Sequence, residues 1–85
     1  MHTDEYGITL SREVHISKKK IEEHSDNIRA LEERHGMSSG DFLRKSTLGE
    51  LVDNPDFSAW RDQLAALERW EQRFKELNEL YKAWR

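Results

Sequence analysis

Residues 35–60 read HGMSSGDFLRKSTLGELVDNPDFSAW, and the punctuation in this stretch decides the fold. Ser38 followed by Asp41 is a capping-box-like helix start, Phe42 and Leu43 give a short helix something to bury, and Gly49 is placed to end it. Leu48, Leu51 and Val52 then form a small apolar patch before Asp53-Asn54-Pro55, where Asn54 can cap and Pro55 can take the first position of another helix. Phe57 and Trp60 enter a core on the first turns of that helix. The stretch therefore predicts a helical corner that turns the chain back on itself, and it contains no recognisable catalytic group.

Downstream of the corner, no Gly or Pro interrupts the chain as far as Arg85. Trp60, Leu67, Phe74 and Tyr81 recur every seven residues, Trp70, Leu77 and Trp84 form the companion row, and Leu64 and Leu80 widen the stripe. This is the strongest periodic signal in the chain, and its aromatics are bulkier than the side chains that suit a two-stranded coiled coil. Upstream, Ile21, Ile28 and Leu31 share a helical face with His24 and His35, Ser17 can cap that helix, and Gly36 stops it. Lys18, Lys19 and Lys20 would then occupy the first turn, where they oppose the helix dipole unless an anion or acidic partner meets them; a solvated face, or a later start at Ser25, is the plainer reading.

Further upstream, Tyr6, Ile8, Leu10, Val14 and Ile16 all fall on even positions, with Arg12 the exception, and Thr9, Ser11, Glu13 and His15 lie between them. This alternation predicts a strand with one buried face. Such a strand has no sister in its own chain, so it would pair with its copy in a second subunit or with a partner's sheet; a loosely packed arm is the alternative. The expected fold is mainly α with this single N-terminal strand (α+β): residues 1–5 as a tail, then residues 6–85 as one small domain of strand, helix, short helix and long C-terminal amphipathic helix.

Composition narrows the function classes. Eighty-five residues without cysteine can have neither disulfides nor thiolate metal sites, and no secretory or membrane-spanning run is present, so a cytoplasmic protein is expected. The net charge is -3, and residues 1–35, 36–57 and 58–85 carry six, two and six Lys/Arg against eight, four and five Asp/Glu. No segment is basic enough for a broad grip on phosphates. His24 and His35 lie about 16 Å apart along one helix and cannot share a metal. Serines, histidines and carboxylates occupy caps, tails and solvated faces, so no enzyme, metal or cofactor is expected.

Length locates the expected binding surface. A last helix of about 29 residues spans roughly 44 Å and a first helix of about 18 only roughly 27 Å, which would leave some 17 Å of aromatic stripe uncovered. Trp70, Phe74, Leu77, Leu80, Tyr81 and Trp84 are accordingly the expected partner-binding residues.

The pattern Gly36-Met37-Ser38, Phe42-Leu43, Gly49-Glu50-Leu51, Asp53 and Asp56-Phe57 with Trp60 resembles that of small antitoxin-like proteins of bacteria and archaea, encoded beside a toxin gene. The resemblance covers roughly residues 6–84, and the spacing from Phe42 to Trp60 is its specific part. It implies a protein that binds and neutralises a cognate toxin, here through the aromatic C-terminal helix. The front half also resembles the ribbon-helix-helix repressors common among antitoxins. That implies a dimer and operator DNA, with Thr9, Ser11 and His15 facing bases and Lys18, Lys19 and Lys20 facing phosphates. The chain departs from that pattern at Glu13, where a base-reading strand would carry Arg, Lys or Asn, and at Gly49, which cuts the second helix short. A homo-oligomerisation module is the third reading.

Overall fold

The computed structural model describes residues 3–84, with side chains from Tyr6 to Ala83, and contains three helices: α1 (Thr3–His35), α2 (Ser39–Thr47) and α3 (Pro55–Trp84). α1 and α3 run antiparallel as a long hairpin, 58 × 20 × 16 Å overall, and α2 closes the corner between them. Their direction and register follow from three levels of cross-helix bonds. Arg34 and His35 meet Asp56 at the corner, His24 and Asn27 meet Gln63 midway, and Glu13 meets Arg73 far out along the arm.

The corner forms as its residues dictate. Gly36 leaves α1 at φ 62° and Gly49 leaves α2 at φ 71°, both in the left-handed region that favours glycine. Ser38 Oγ accepts from the Asp41 amide at 3.1 Å, capping α2. Asn54 Oδ1 accepts from the Asp56 amide at 2.9 Å, with Pro55 at the first position of α3. Phe42 and Trp60 are fully buried, and with Leu31 and Phe57 they form the core, against which Met37, Leu51 and Leu64 pack.

The N-terminal strand is not observed. No strand occurs among the described residues, and Tyr6–Ile16 form the first turns of α1, with Thr3–Glu5 helical ahead of them. The inward positions of α1 are Gly7, Leu10, Val14, Ser17, Ile21, His24, Ile28, Leu31 and His35, alternating steps of three and four. Leu10 and Val14 belong to both patterns. The helical one was hidden because Gly7 and Ser17, both buried, are too small or polar to register as hydrophobic. A helix satisfies its own backbone, whereas a lone strand would leave a row of donors and acceptors unpaired.

Two further expectations fall with the strand. Ser17 caps nothing: it is fully buried within α1, and its hydroxyl donates to the Glu13 carbonyl at 2.9 Å. Lys18–Lys20 lie mid-helix, away from the unsatisfied amides of an N-terminus, and Lys20 pairs with Glu23 at 3.5 Å. The expected 18-residue first helix is 33 residues long, about 50 Å against about 45 Å for α3.

Trp60→Ala should cost about 3–5 kcal/mol, because it opens a cavity beside Phe42. Gly36→Ala should cost only about 1 kcal/mol, since an added Cβ meets nothing within 4 Å and backbone strain is the whole penalty. Urea unfolding followed by circular dichroism measures both, and equal losses would contradict the packing described.

Candidate protein-docking surface

Two regions of the hairpin differ in how completely they are built. At the corner, Trp60 stacks on Phe42 with ring centroids 4.2 Å apart and planes 2° from parallel. A buried indole N–H needs an acceptor. Trp60 Nε1 donates to Ser39 Oγ at 2.9 Å, and that hydroxyl donates to Glu32 Oε2 at 2.8 Å, as does the Ser39 amide. One relay thus joins α3, α2 and α1. His35 lies over the same rings, 5.0 Å from Phe57 and 5.8 Å from Trp60 between centroids.

Both inward histidines sit at the rim of the core, partly buried and hydrogen-bonded. His35 Nε2 donates to Asp56 Oδ2 at 2.9 Å, and Arg34 donates to the same oxygen at 3.0 Å. These two hydrogen bonds, His35 first and Arg34 second, hold the Asp56 carboxyl below its ordinary value of 3.8, against the opposing effect of desolvation. His24 Nδ1 donates to Gln63 Oε1 at 2.7 Å and Asn27 Nδ2 to the same oxygen at 3.2 Å, making a polar layer halfway along the hairpin. Among the described residues, no group of three or more His, Cys, Asp or Glu could hold a metal ion, and no helix is long and apolar enough to cross a membrane.

The arm beyond this layer is thinner. Of the inward residues on the first half of α1, Leu10 is buried and Val14 half-buried, while the other two are Gly7 and Ser17. An interior glycine costs a helix about 0.5–1 kcal/mol relative to alanine, and neither Gly7 nor Ser17 brings an apolar side chain. Opposite them, Trp70, Phe74, Leu77 and Tyr81 are each only half-buried, and Leu80 is 50 % exposed. The side chain of Trp84 lies outside the described residues. These stripe residues share the inner and lateral face of α3, as their periodicity implied. The uncovered 17 Å does not exist, because α1 is long enough to run beside the whole stripe; what remains is incomplete cover. Ile8 at 58 % and Ile16 at 38 % exposure point away from α3.

The residues assigned to DNA do not form a reading surface. Thr9, Ser11 and His15 are exposed, but successive helical residues turn by about 100°, so Thr9 and Ser11 point to nearly opposite sides of α1. His15, Lys18 and Lys19 line a shallow hollow with Glu22. The corner loop holds features that periodicity could not reveal. Leu48 and Val52 are exposed to 62 % and 80 %, and Leu51, Val52, Phe57 and Arg61 line a cavity of about 430 Å³. Only their place in a loop ahead of Pro55 hinted at this.

The fold is thus an antiparallel helical hairpin closed by a short third helix, with an aromatic arm that is only partly covered and with Leu48 and Val52 of the corner loop as its most exposed large apolar side chains. No family model matches the chain, and no curated protein or solved structure matches it.

Because folding lowers the Asp56 pKa, the stability that its carboxylate confers is fully present above about pH 3.8 and is lost as pH falls through the lower folded value. Asp56→Asn should destabilise the hairpin at neutral pH and flatten this acid limb. Urea midpoints measured from about pH 2 to pH 7 provide the check, and parallel curves for the two proteins would contradict it.

Proposed function

We propose that this protein is an antitoxin-like inhibitor, a hairpin that binds a cognate toxin through the half-covered aromatic stripe of α3 and masks the toxin's working surface. The observation that carries this reading is the division of the molecule. Leu31, Phe42, Phe57 and Trp60 at the corner supply its buried cluster, while Trp70, Phe74, Leu77 and Tyr81 remain half-buried along the arm. Large aromatics in such a position contribute more to an interface than any other residue type, and they lose little rotamer freedom on binding. The sequence resemblance from Phe42 to Trp60 supports the same reading, since the corner that carries it sets the stripe in place. Docking would follow the helix-in-groove mode, with α3 providing anchors at three- and four-residue spacing.

The ribbon-helix-helix alternative loses its support, because the paired strands that would read DNA are not formed by Tyr6–Ile16. Self-association retains a specific observation in its favour: Ile8, Ile16 and Leu80 are exposed along the arm, and a second hairpin packed there would complete a four-helix arrangement. Light scattering at micromolar concentration should then give more than the 10.1 kDa of a single chain; a monomer with cooperative unfolding removes this second reading and leaves the first intact.

Co-expression with the protein encoded next to this gene, scored by growth and by pull-down, tests the leading reading. Phe74→Ala and Leu77→Ala should each weaken toxin binding by about 2 kcal/mol or more if they are central anchors. Exposed charges such as Lys75 and Lys82 should contribute at most about 1 kcal/mol. A neighbour that is harmless alone, or one neutralised equally well by Phe74→Ala, would end the proposal.

A further inference from the structure

The corner holds a cavity that the aromatic core does not fill. Its volume is about 430 Å³, and it lies where the last turn of α2 and the loop after it meet the first turns of α3. Phe57, a member of the buried cluster, supplies part of its apolar wall, together with Leu51 and with Val52, which is 80 % exposed. Two opposite charges, Arg61 and Asp53, line the same space. Neither has an ionic partner among the described residues. Arg29, Arg34, Arg44 and Arg73 each reach a carboxylate. Arg61 instead donates to Ser46 Oγ at 3.2 Å, with its guanidinium carbon over the Phe42 ring at 6.0 Å from the ring centre. A hydroxyl and a ring face orient the guanidinium without neutralising it.

We propose that this cavity is a separate docking site, and that its occupant is a peptide segment of a partner protein with one large apolar side chain between a carboxylate and a cation. The apolar side chain enters against Leu51, Val52 and Phe57, the carboxylate pairs with Arg61 and the cation pairs with Asp53. Charge complementarity specifies the two flanking groups, since an apolar residue alone would desolvate both charges without compensation. A carboxylate arriving at Arg61 meets a planar donor fork that is already held in place, so little side-chain freedom is lost on pairing. Nucleic acid does not fit the same surface. Residues 36–57 carry two Lys/Arg against four Asp/Glu, and a phosphate backbone there would meet more repulsion than attraction. Leu48, exposed and next to Gly49 of the cavity wall, adds apolar surface outside the cavity that a protein partner would cover. Arg61 lies about 20 Å along α3 from Phe74, and the site does not rest on the antitoxin reading.

Amide chemical shifts of the isotope-labelled full chain, titrated with the capped pentapeptide Ser-Glu-Leu-Lys-Ser and with the reversed order Ser-Lys-Leu-Glu-Ser, test this. At least one order should bind saturably and move amides of residues 46–61, while those of residues 70–83 stay in place. Replacing the peptide's leucine with alanine should weaken that binding about tenfold or more. Val52→Ser should also weaken it and leave helicity by circular dichroism unchanged, because Val52 is exposed and outside the core. Two mutant cycles locate the charges. Changing the peptide's glutamate to glutamine should cost at least about threefold with the natural chain and nothing further with Arg61→Gln, and changing its lysine to glutamine should behave alike with Asp53→Asn. Shifts at residues 46–61 from neither order, or charge-removal losses that persist in full with Arg61→Gln and Asp53→Asn, would overturn the proposal. The Phe74→Ala chain should bind the peptide normally, so a failure of toxin neutralisation and a failure of this site are read separately.

Discussion

Burying an indole ring in so small a protein is favourable only if its N–H keeps a hydrogen bond, and most of this fold follows from how that requirement is met at Trp60. The ring lies flat on Phe42 and its N–H donates to the Ser39 hydroxyl, which in turn donates a hydrogen bond to Glu32. α3 supplies the indole, α2 supplies Phe42 and Ser39, and α1 supplies Glu32, so the stack and its relay are complete only when all three helices are in place. Short α2 helps to meet this requirement. Nine residues hold little helical stability of their own, but with Ser38 capping one end and Gly49 turning out of the other they bring Ser39 and Phe42 to the ring. No buried side-chain nitrogen or oxygen among the described residues is left without a partner.

From that anchor the two long helices run outward with decreasing cohesion. The polar layer of His24, Asn27 and Gln63 adds less stability than an apolar layer would, but it matches donors to one acceptor in one register only. A one-turn slip of α1 along α3 would leave that acceptor and its donors unpaired, so the layer discriminates against misalignment. Beyond it, Leu10, Val14 and the Glu13–Arg73 pair lie along the arm. The buried cluster and the partly covered stripe thus lie at opposite ends of the same pair of helices.

Charge contributes to this arrangement chiefly where it is placed at helix ends. Asp56 lies in the first turn of α3, where the helix dipole favours a carboxylate, and Arg34 and His35 lie in the last turn of α1, where it favours cations. Lys20–Glu23, Arg29–Asp26 and Arg44–Asp41 are largely exposed and span three residues within a helix, and Glu13–Arg73 crosses the outer arm. Pairs of that kind are individually weak. A chain in which 36 % of residues are charged therefore depends on few of those charges for its fold.

The sequence by itself determined the corner and α3. Gly36, Ser38, Gly49, Asn54 and Pro55 act within a few residues of themselves, through left-handed backbone and side-chain caps, so their effects can be read one position at a time. The stripe from Trp60 to Trp84 was equally legible, because its large apolar residues keep helical spacing for the full length of α3. Only the tertiary structure decided what Tyr6–Ile16 would be. Their alternation and their β-branched residues locally favour a strand, but a strand there would have no neighbour in the chain, while a helix satisfies its own backbone and lies along α3 through Leu10 and Val14. Small residues at Gly7 and Ser17 let α1 lie close to α3, and a core position filled by absence of bulk carries no hydrophobic mark in the sequence. The extent of cover over the stripe was set by that long-range packing.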